Sequence, residues 1–209
     1  MSGFSRLSLE EFLSALASEA PTPGGGTAAA VAGAMAAALA EMVAGLTLSK
    51  EKYAAAHAAV RPVAHAAAAA RREFLDLARE DSEAYEGVLE ARRLPKETPE
   101  QKTERGQRIA AANRLAAEIP MRTARTAARL LSTLPELARK GNPNAASDAG
   151  AAALLLEAAA EGALLNVAIN LSGAGDPAFV AGMSREMADL REKTQHLRAD
   201  VLAAVRQHF

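Results

Sequence analysis

Residues 27–48 read TAAAVAGAMAAALAEMVAGLTL, a run whose single charge is Glu41. Alanine is the strongest helix former, and Gly33 and Gly45 cost it only a modest loss of propensity while letting a neighbouring helix come close. The stretch is long enough to cross a bilayer. Alanine contributes little to insertion, however, Glu41 sits inside the run, and neither an aromatic belt nor a one-sided Lys/Arg excess flanks it. The run therefore predicts a buried core or interface helix, with no membrane span, in an all-α protein.

The rest of the composition agrees. Half of the 209 residues are apolar but only 3% are aromatic, so the expected fold is a single-domain antiparallel helical bundle over residues 1–209 with long Ala-rich core helices. Such helices bury little area each, which predicts that the subunit covers its remaining apolar surface with another copy, as a homodimer or higher homo-oligomer. Lys plus Arg number 24 against 25 Asp plus Glu, leaving no basic field for nucleic acid. With no cysteine, disulfides and thiolate chemistry are excluded. The opening MSGFSRLSLEEF lacks the basic, apolar and small-residue segments of a secretory signal, giving a cytoplasmic expectation.

Ser8 and Glu11 form a capping box for a first helix from about Leu9 to Glu19. After EAPTPGGG and the apolar helix, a helical pattern runs from Lys52 to about Arg93, with Pro62 as a kink or break. Thr98-Pro99-Glu100-Gln101 restarts a helix that continues to about Thr133. LPELARKGNPNAASD is expected as a loop, with Ser147 or Asn144 capping the apolar helix DAGAAALLLEAAAEGALLNVAINL. Asp176-Pro177 opens a charged last helix ending near His208.

Several polar groups stand out against this background. Gly24, Gly25 and Gly26 before a helix suit either an anion cradle or a tight turn. They lack the Lys-Ser/Thr of a P-loop and follow no strand, which disfavours nucleotide binding. Asn142, Asn144 and Asp148 lie at the mouth of an apolar helix, as caps or ligand groups. Asn166 and Asn170 share a face among apolar residues, where buried amides must bridge to another helix or meet a polar ligand. Lys50, Lys52 and Tyr53 follow the first apolar helix, complementing its dipole or holding an anion. Asp81 and Tyr85 are four apart in a run that also fits a solvated face. His57 and His65 are too far apart to ligate one metal alone, and no metal site is expected.

Five blocks in order, PTPGGGTAAAVAGAMAAALAEMVAGLT, KEKY, DSEAYEGVLEARRLPKETPE, GNPNAASDAG and EGALLNVAINL, resemble the cyclodeaminase domain of formiminotransferase-cyclodeaminase and the related small bacterial cyclodeaminase and methenyltetrahydrofolate cyclohydrolase proteins. The resemblance covers almost the whole chain. It implies an all-helical oligomer built on dimers that handles tetrahydrofolate derivatives, with no metal and no cofactor beyond the folate substrate. The implied reaction is conversion of 5-formiminotetrahydrofolate to 5,10-methenyltetrahydrofolate and ammonia. The alternatives are hydrolysis of the methenyl compound to 10-formyltetrahydrofolate and a non-catalytic folate-binding role.

The resemblance also implies roles. Asp148 is the expected carboxylate beside the reacting carbon, with Asp81 a second acid or pterin anchor. Asn142, Asn144, Asn166 and Asn170 would orient pterin or amide groups, while Lys50, Lys52 and Lys96 are candidates for the glutamate carboxylates. Pro23 and the Gly24, Gly25, Gly26 and Thr27 loop would wall the pocket. Two departures bear on this: Thr27 stands where the family commonly has Ser, and the bifunctional enzyme's counterpart of KEKY carries arginines and a phenylalanine, which weakens Lys52 and Tyr53. No histidine falls in a matching block, leaving the general acid unassigned.

Overall fold

The computed structural model describes residues 7–209, and among them there is no strand. The first six residues of the segment read for a secretory signal lie outside this range. Seven α-helices follow in order: α1 (Leu9–Leu16), α2 (Gly25–Leu48), α3 (Ala54–Arg93), α4 (Pro99–Leu131), α5 (Leu134–Lys140), α6 (Ala146–Leu171) and α7 (Pro177–Val205). Short 3₁₀ turns at Glu51–Tyr53, Pro143–Ala145 and Arg206–His208 join or extend them.

Local chemistry sets most boundaries. The Ser8 and Thr98 capping boxes both form, the second with Pro99 in the first turn, and the Asp176 carboxylate accepts from the Ala178 and Phe179 amides at 3.0 and 3.3 Å. The first helix ends at Leu16, three residues before the expected limit. Pro62 and Pro120 both lie inside continuous helices, so Pro62 does not break α3. Leu134–Lys140 is helical where a loop was expected: Leu134, Leu137 and Ala138 are buried on one side, and Lys140 pairs with Glu136 one turn earlier at 2.7 Å. Neither Ser147 nor Asn144 caps α6, whose cap position is Ala145. Asn142 instead caps the preceding 3₁₀ turn, its side chain accepting from the Asn144 amide at 3.1 Å.

Helix α2 packs chiefly on α3 and α6, and α4 completes the bundle against the same two helices. The core is mostly alanine, with Phe74, Leu77, Leu131, Leu156 and Leu164 filling the gaps. Close approach is needed at Gly33, where an added Cβ would lie 2.6 Å from the Phe74 ring. Charged pairs stitch the outer seams: Glu41–Arg71 joins α2 to α3, Arg125–Glu186 joins α4 to α7, and Glu161–Arg191 and Glu157–Arg198 join α6 to α7. Exposed pairs of this kind contribute about 0–1 kcal/mol each, so they orient helices more than they hold them.

Among the described residues, one face carries no such pairing. α2 and the 143–171 segment are each long and apolar enough to cross a membrane by length and composition, but they are only about half buried, at 50% and 44% of their most apolar windows. The remainder lies on a shared outer surface where Met35, Met42, Leu46, Leu154, Leu165 and Ile169 are exposed.

Candidate active site

The Pro/Gly loop delivers the chain into α2 with Gly24 as the cap residue and no side-chain cap from its own segment. The cap comes from α3. Thr27, fully buried, donates its hydroxyl to the Asp81 carboxylate at 2.9 Å and lies 3.0 Å from the Ser82 hydroxyl. The Thr27 backbone also bonds Asp81. A side chain at Gly26 would fall on the Asp81 carboxylate, and one at Gly25 would come within 3.2 Å of the Asn166 amide. Glycine is thus required because α3 and α6 press against the first turn of α2, whose leading N–H groups have no partner within the helix.

Around this point lies a cavity of about 230 Å³ bounded by the Gly24–Gly26 backbone, Asp81, Tyr85, Ala116, Asn166 and Asn170, with Ile169 on its rim. That volume suits a pterin-sized ring and falls below the ~300–1,000 Å³ of sites that enclose whole drug-sized ligands. Asn166 donates to the Gly162 carbonyl at 2.8 Å; Asn170 donates to the Ala116 carbonyl of α4 at 2.8 Å and to the Asn166 carbonyl at 3.0 Å. Asn170 therefore bridges two helices. Both side-chain carbonyls retain acceptor capacity.

Burial pushes the Asp81 carboxyl above its ordinary range, against the opposing pull of the Thr27 hydroxyl and backbone. A carboxylic acid held toward its neutral form beside helix N-terminal amides can donate a proton and then sit as an anion near developing positive charge. Tyr85, one turn beyond Asp81 on the same face, joins the cavity wall, as their four-residue spacing allows, although the charged run around them also fits a solvated face.

The other predicted residues lie elsewhere. Asn142 is buried at the opposite end of α2, where its amide donates to the Thr47 hydroxyl at 2.9 Å and its side chain accepts from the Tyr53 hydroxyl at 2.9 Å. Lys52 stacks its ammonium over the Tyr53 ring at 4.8 Å. Lys50, Lys52 and Asn144 are exposed there, and Asp148 is half-buried in the first turn of α6. Gly26 and Thr47 are separated by 21 residues of one helix, or about 31 Å at about 1.5 Å per residue. Within one subunit, Asp148 and Asp81 therefore belong to two separate clusters. Lys96 is exposed in the connection between α3 and α4 and joins neither, and Pro23 is buried behind the loop, after a cis Thr22–Pro23 bond.

The Thr47 hydroxyl ties the far cluster together, since it also donates to the Val43 carbonyl at 2.8 Å. Replacing it with valine leaves the buried Asn142 amide without an acceptor. Thr47→Val is expected to destabilise the protein by about 1–3 kcal/mol in denaturant unfolding, with the helical content of the native state unchanged.

An all-helical bundle places a carboxyl whose pKa is raised by burial, two carboxamides and helix-start amides around a ring-sized cavity, an arrangement suited to acid–base chemistry on a small molecule. The chain belongs to the formiminotransferase-cyclodeaminase family, whose sequence profile matches residues 8–205. It is 38% identical over 198 residues to a methenyltetrahydrofolate cyclohydrolase of Methylorubrum extorquens, covering 95% of both chains. It is 36% identical over 197 residues to the formimidoyltransferase-cyclodeaminase of Sus scrofa, covering 93% of this chain but 36% of that protein. The crystal structure of formiminotetrahydrofolate cyclodeaminase from Thermotoga maritima superposes with a TM-score of 0.87 at 35% identity, covering 97% of this chain and 98% of that one.

Proposed function

We propose that this protein is a folate one-carbon enzyme that converts 5-formiminotetrahydrofolate to 5,10-methenyltetrahydrofolate and ammonia. It would act in the cytoplasm as a homo-oligomer, with no metal and no cofactor beyond the folate. The observation that carries the reading is Asp81, a carboxyl raised toward neutrality by burial on the wall of a ring-sized cavity.

The chemistry uses such a group twice. The formimino group enters protonated, as the amidinium N5–CH=NH2⁺, and folate N10 attacks its carbon, giving a tetrahedral carbon bonded to N5, a protonated N10 and a neutral amino group. Asp81 in its acid form, which burial favours, protonates that amino group, which leaves as ammonia when the C–N bond breaks. The Asp81 carboxylate then receives the proton that N10 sheds, and the remaining lone pairs close the methenyl bridge as a cation. Proton count and charge balance without a second acid. Asn166 and Asn170 present carbonyl acceptors to the pterin N–H groups, and the Gly25 and Gly26 amides face its acceptors.

The similarity to the Methylorubrum cyclohydrolase over nearly the full length of both chains favours a second reading. There water attacks the methenyl carbon and the bridge opens at N5 to 10-formyltetrahydrofolate, with the same acid serving the departing nitrogen. The purified protein is expected to release ammonia from 5-formiminotetrahydrofolate. Loss of methenyl absorbance without ammonia release would assign the cyclohydrolase instead, and inactivity in both assays would refute an enzymatic role.

A further inference from the structure

Two prolines lie inside helices. Each removes the N–H that the carbonyl four residues earlier would meet, and its ring leans on that same carbonyl. Pro62 of α3 does this at the surface, where Pro62 and Ala58 are both exposed and water can satisfy the freed oxygen. Pro120 of α4 is buried, and the carbonyl it frees belongs to Ala116, which is 4% exposed and lies on the wall of the Asp81 cavity. A buried carbonyl left without a partner is destabilising. The partner comes from α6, where Asn170 donates to the Ala116 carbonyl at 2.8 Å.

That bond decides which end of Asn170 a ligand meets. The side-chain nitrogen faces two backbone carbonyls, Ala116 of α4 and Asn166 of its own helix, at 2.8 and 3.0 Å. Two acceptors on one side admit only the NH2 group there, so the network itself fixes the flip of the carboxamide. Both of its protons are used. Its Oδ1 accepts from no described residue and is the group left for the cavity.

We infer that Pro120 is a positioning residue for ligand recognition: by freeing the Ala116 carbonyl it locks Asn170 as an acceptor-only group on the cavity wall, which selects a ring edge that donates N–H. A tetrahydropterin carries such an edge, so this role rests on the folate reading above and deepens it. With an ordinary residue at position 120, the Ala116 oxygen turns back along α4 to meet the restored N–H. Asn170 then keeps one anchor instead of two, and its carboxamide can turn over.

Stability and binding should therefore move in opposite directions. Pro120→Ala is expected to raise the denaturant midpoint, because the strongest helix former replaces an interior proline. The same variant should bind tetrahydrofolate about three- to tenfold more weakly by calorimetry. In steady state the loss should fall on KM, with kcat within about twofold of wild type, since Asp81 and its proton are untouched. Asn170→Leu removes the acceptor outright and should weaken binding about tenfold. Because the proline acts through Asn170, the double variant should match Asn170→Leu, whereas independent effects would multiply to about thirty- to a hundredfold. Pro62→Ala should share the gain in midpoint and bind like wild type.

Multiplying effects, or wild-type affinity in Pro120→Ala, would overturn the proposal. So would a lowered midpoint accompanying the weaker binding, which marks a proline kept for packing alone.

A second measurement needs no substrate. The two Asn170 side-chain amide protons, assigned by their disappearance in Asn170→Leu, are expected to exchange slowly with water in the wild type. The proton on the Ala116 carbonyl should exchange about tenfold faster or more in Pro120→Ala. Fast exchange of both protons in the wild type refutes the lock whether or not Pro120→Ala folds, and slow exchange unchanged by Pro120→Ala refutes it too. Protected protons released by Pro120→Ala, in a chain that binds no tetrahydrofolate, would reject the folate reading alone. Tetrahydrofolate binding with unprotected protons would reject the lock alone.

Discussion

Asp81→Asn is expected to lower kcat for the one-carbon folate by about 10²–10⁴-fold while leaving the bundle folded. Asparagine keeps the shape and can still accept the Thr27 hydroxyl, so the first turn of α2 remains capped. It cannot deliver a proton. Steady-state kinetics should show the loss in kcat with a smaller change in KM, since the carboxamide can still contact the ring. An Asp81→Asn enzyme within twofold of wild type would remove Asp81 from the proton transfer.

Asp81 also fixes two pH dependences. Because burial raises its pKa in the folded state, the acid form needed for protonation is lost as pH rises. Activity should therefore fall through that raised pKa, and the Asp81→Asn variant should lack this limb. For stability, a raised carboxyl means that the native state holds its proton more tightly than the unfolded chain. Its contribution is present below the unfolded pKa and disappears as pH climbs through the folded one, so Asp81→Asn should be the more stable protein on the alkaline side. Equal unfolding midpoints for the two proteins across that range would contradict the assignment.

Phe74→Ala is expected to cost about 3–5 kcal/mol of stability, measured as a lowered denaturant midpoint. Phe74 is fully buried between α3 and α2 in a core otherwise dominated by alanine. Its ring fills the space that Gly33 leaves open. Gly33→Ala alone should destabilise, because overpacking costs about 1–3 kcal/mol against the ~1 kcal/mol gained in helix propensity. In the Phe74→Ala background the added methyl enters the vacated volume, and the same substitution should stabilise. That reversal of sign in a double-mutant cycle is the specific test; additive effects would show that the two residues do not share the space.

Helix type and order were legible because they depend on short-range chemistry. The Ser8 and Thr98 boxes, the Asp176 cap and the uncharged run from Thr27 each act within a few residues of themselves. α5 was hidden because its three buried apolar residues sit among Pro, Gly and Asn that read equally well as loop. The active-site candidates were legible as residue types but not as an arrangement: the spacing of Asn166 and Asn170 shows that they share a face, and nothing local says that Asp81 stands across from them.

The sequence by itself determined an Ala-rich all-helical bundle, its family, and the polar residues at the two ends of its apolar helices, since composition, capping and ordered motifs are properties of contiguous chain. Only the tertiary structure decided which of those residues meet. The packing of α3 and α6 against Gly25 and Gly26 makes Asp81 a half-buried acid with a raised pKa, while the length of α2 puts Asp148 and Asn142 at the opposite end. A rigid helix carries its two ends apart by its rise per residue, and long-range contacts alone select what each end faces.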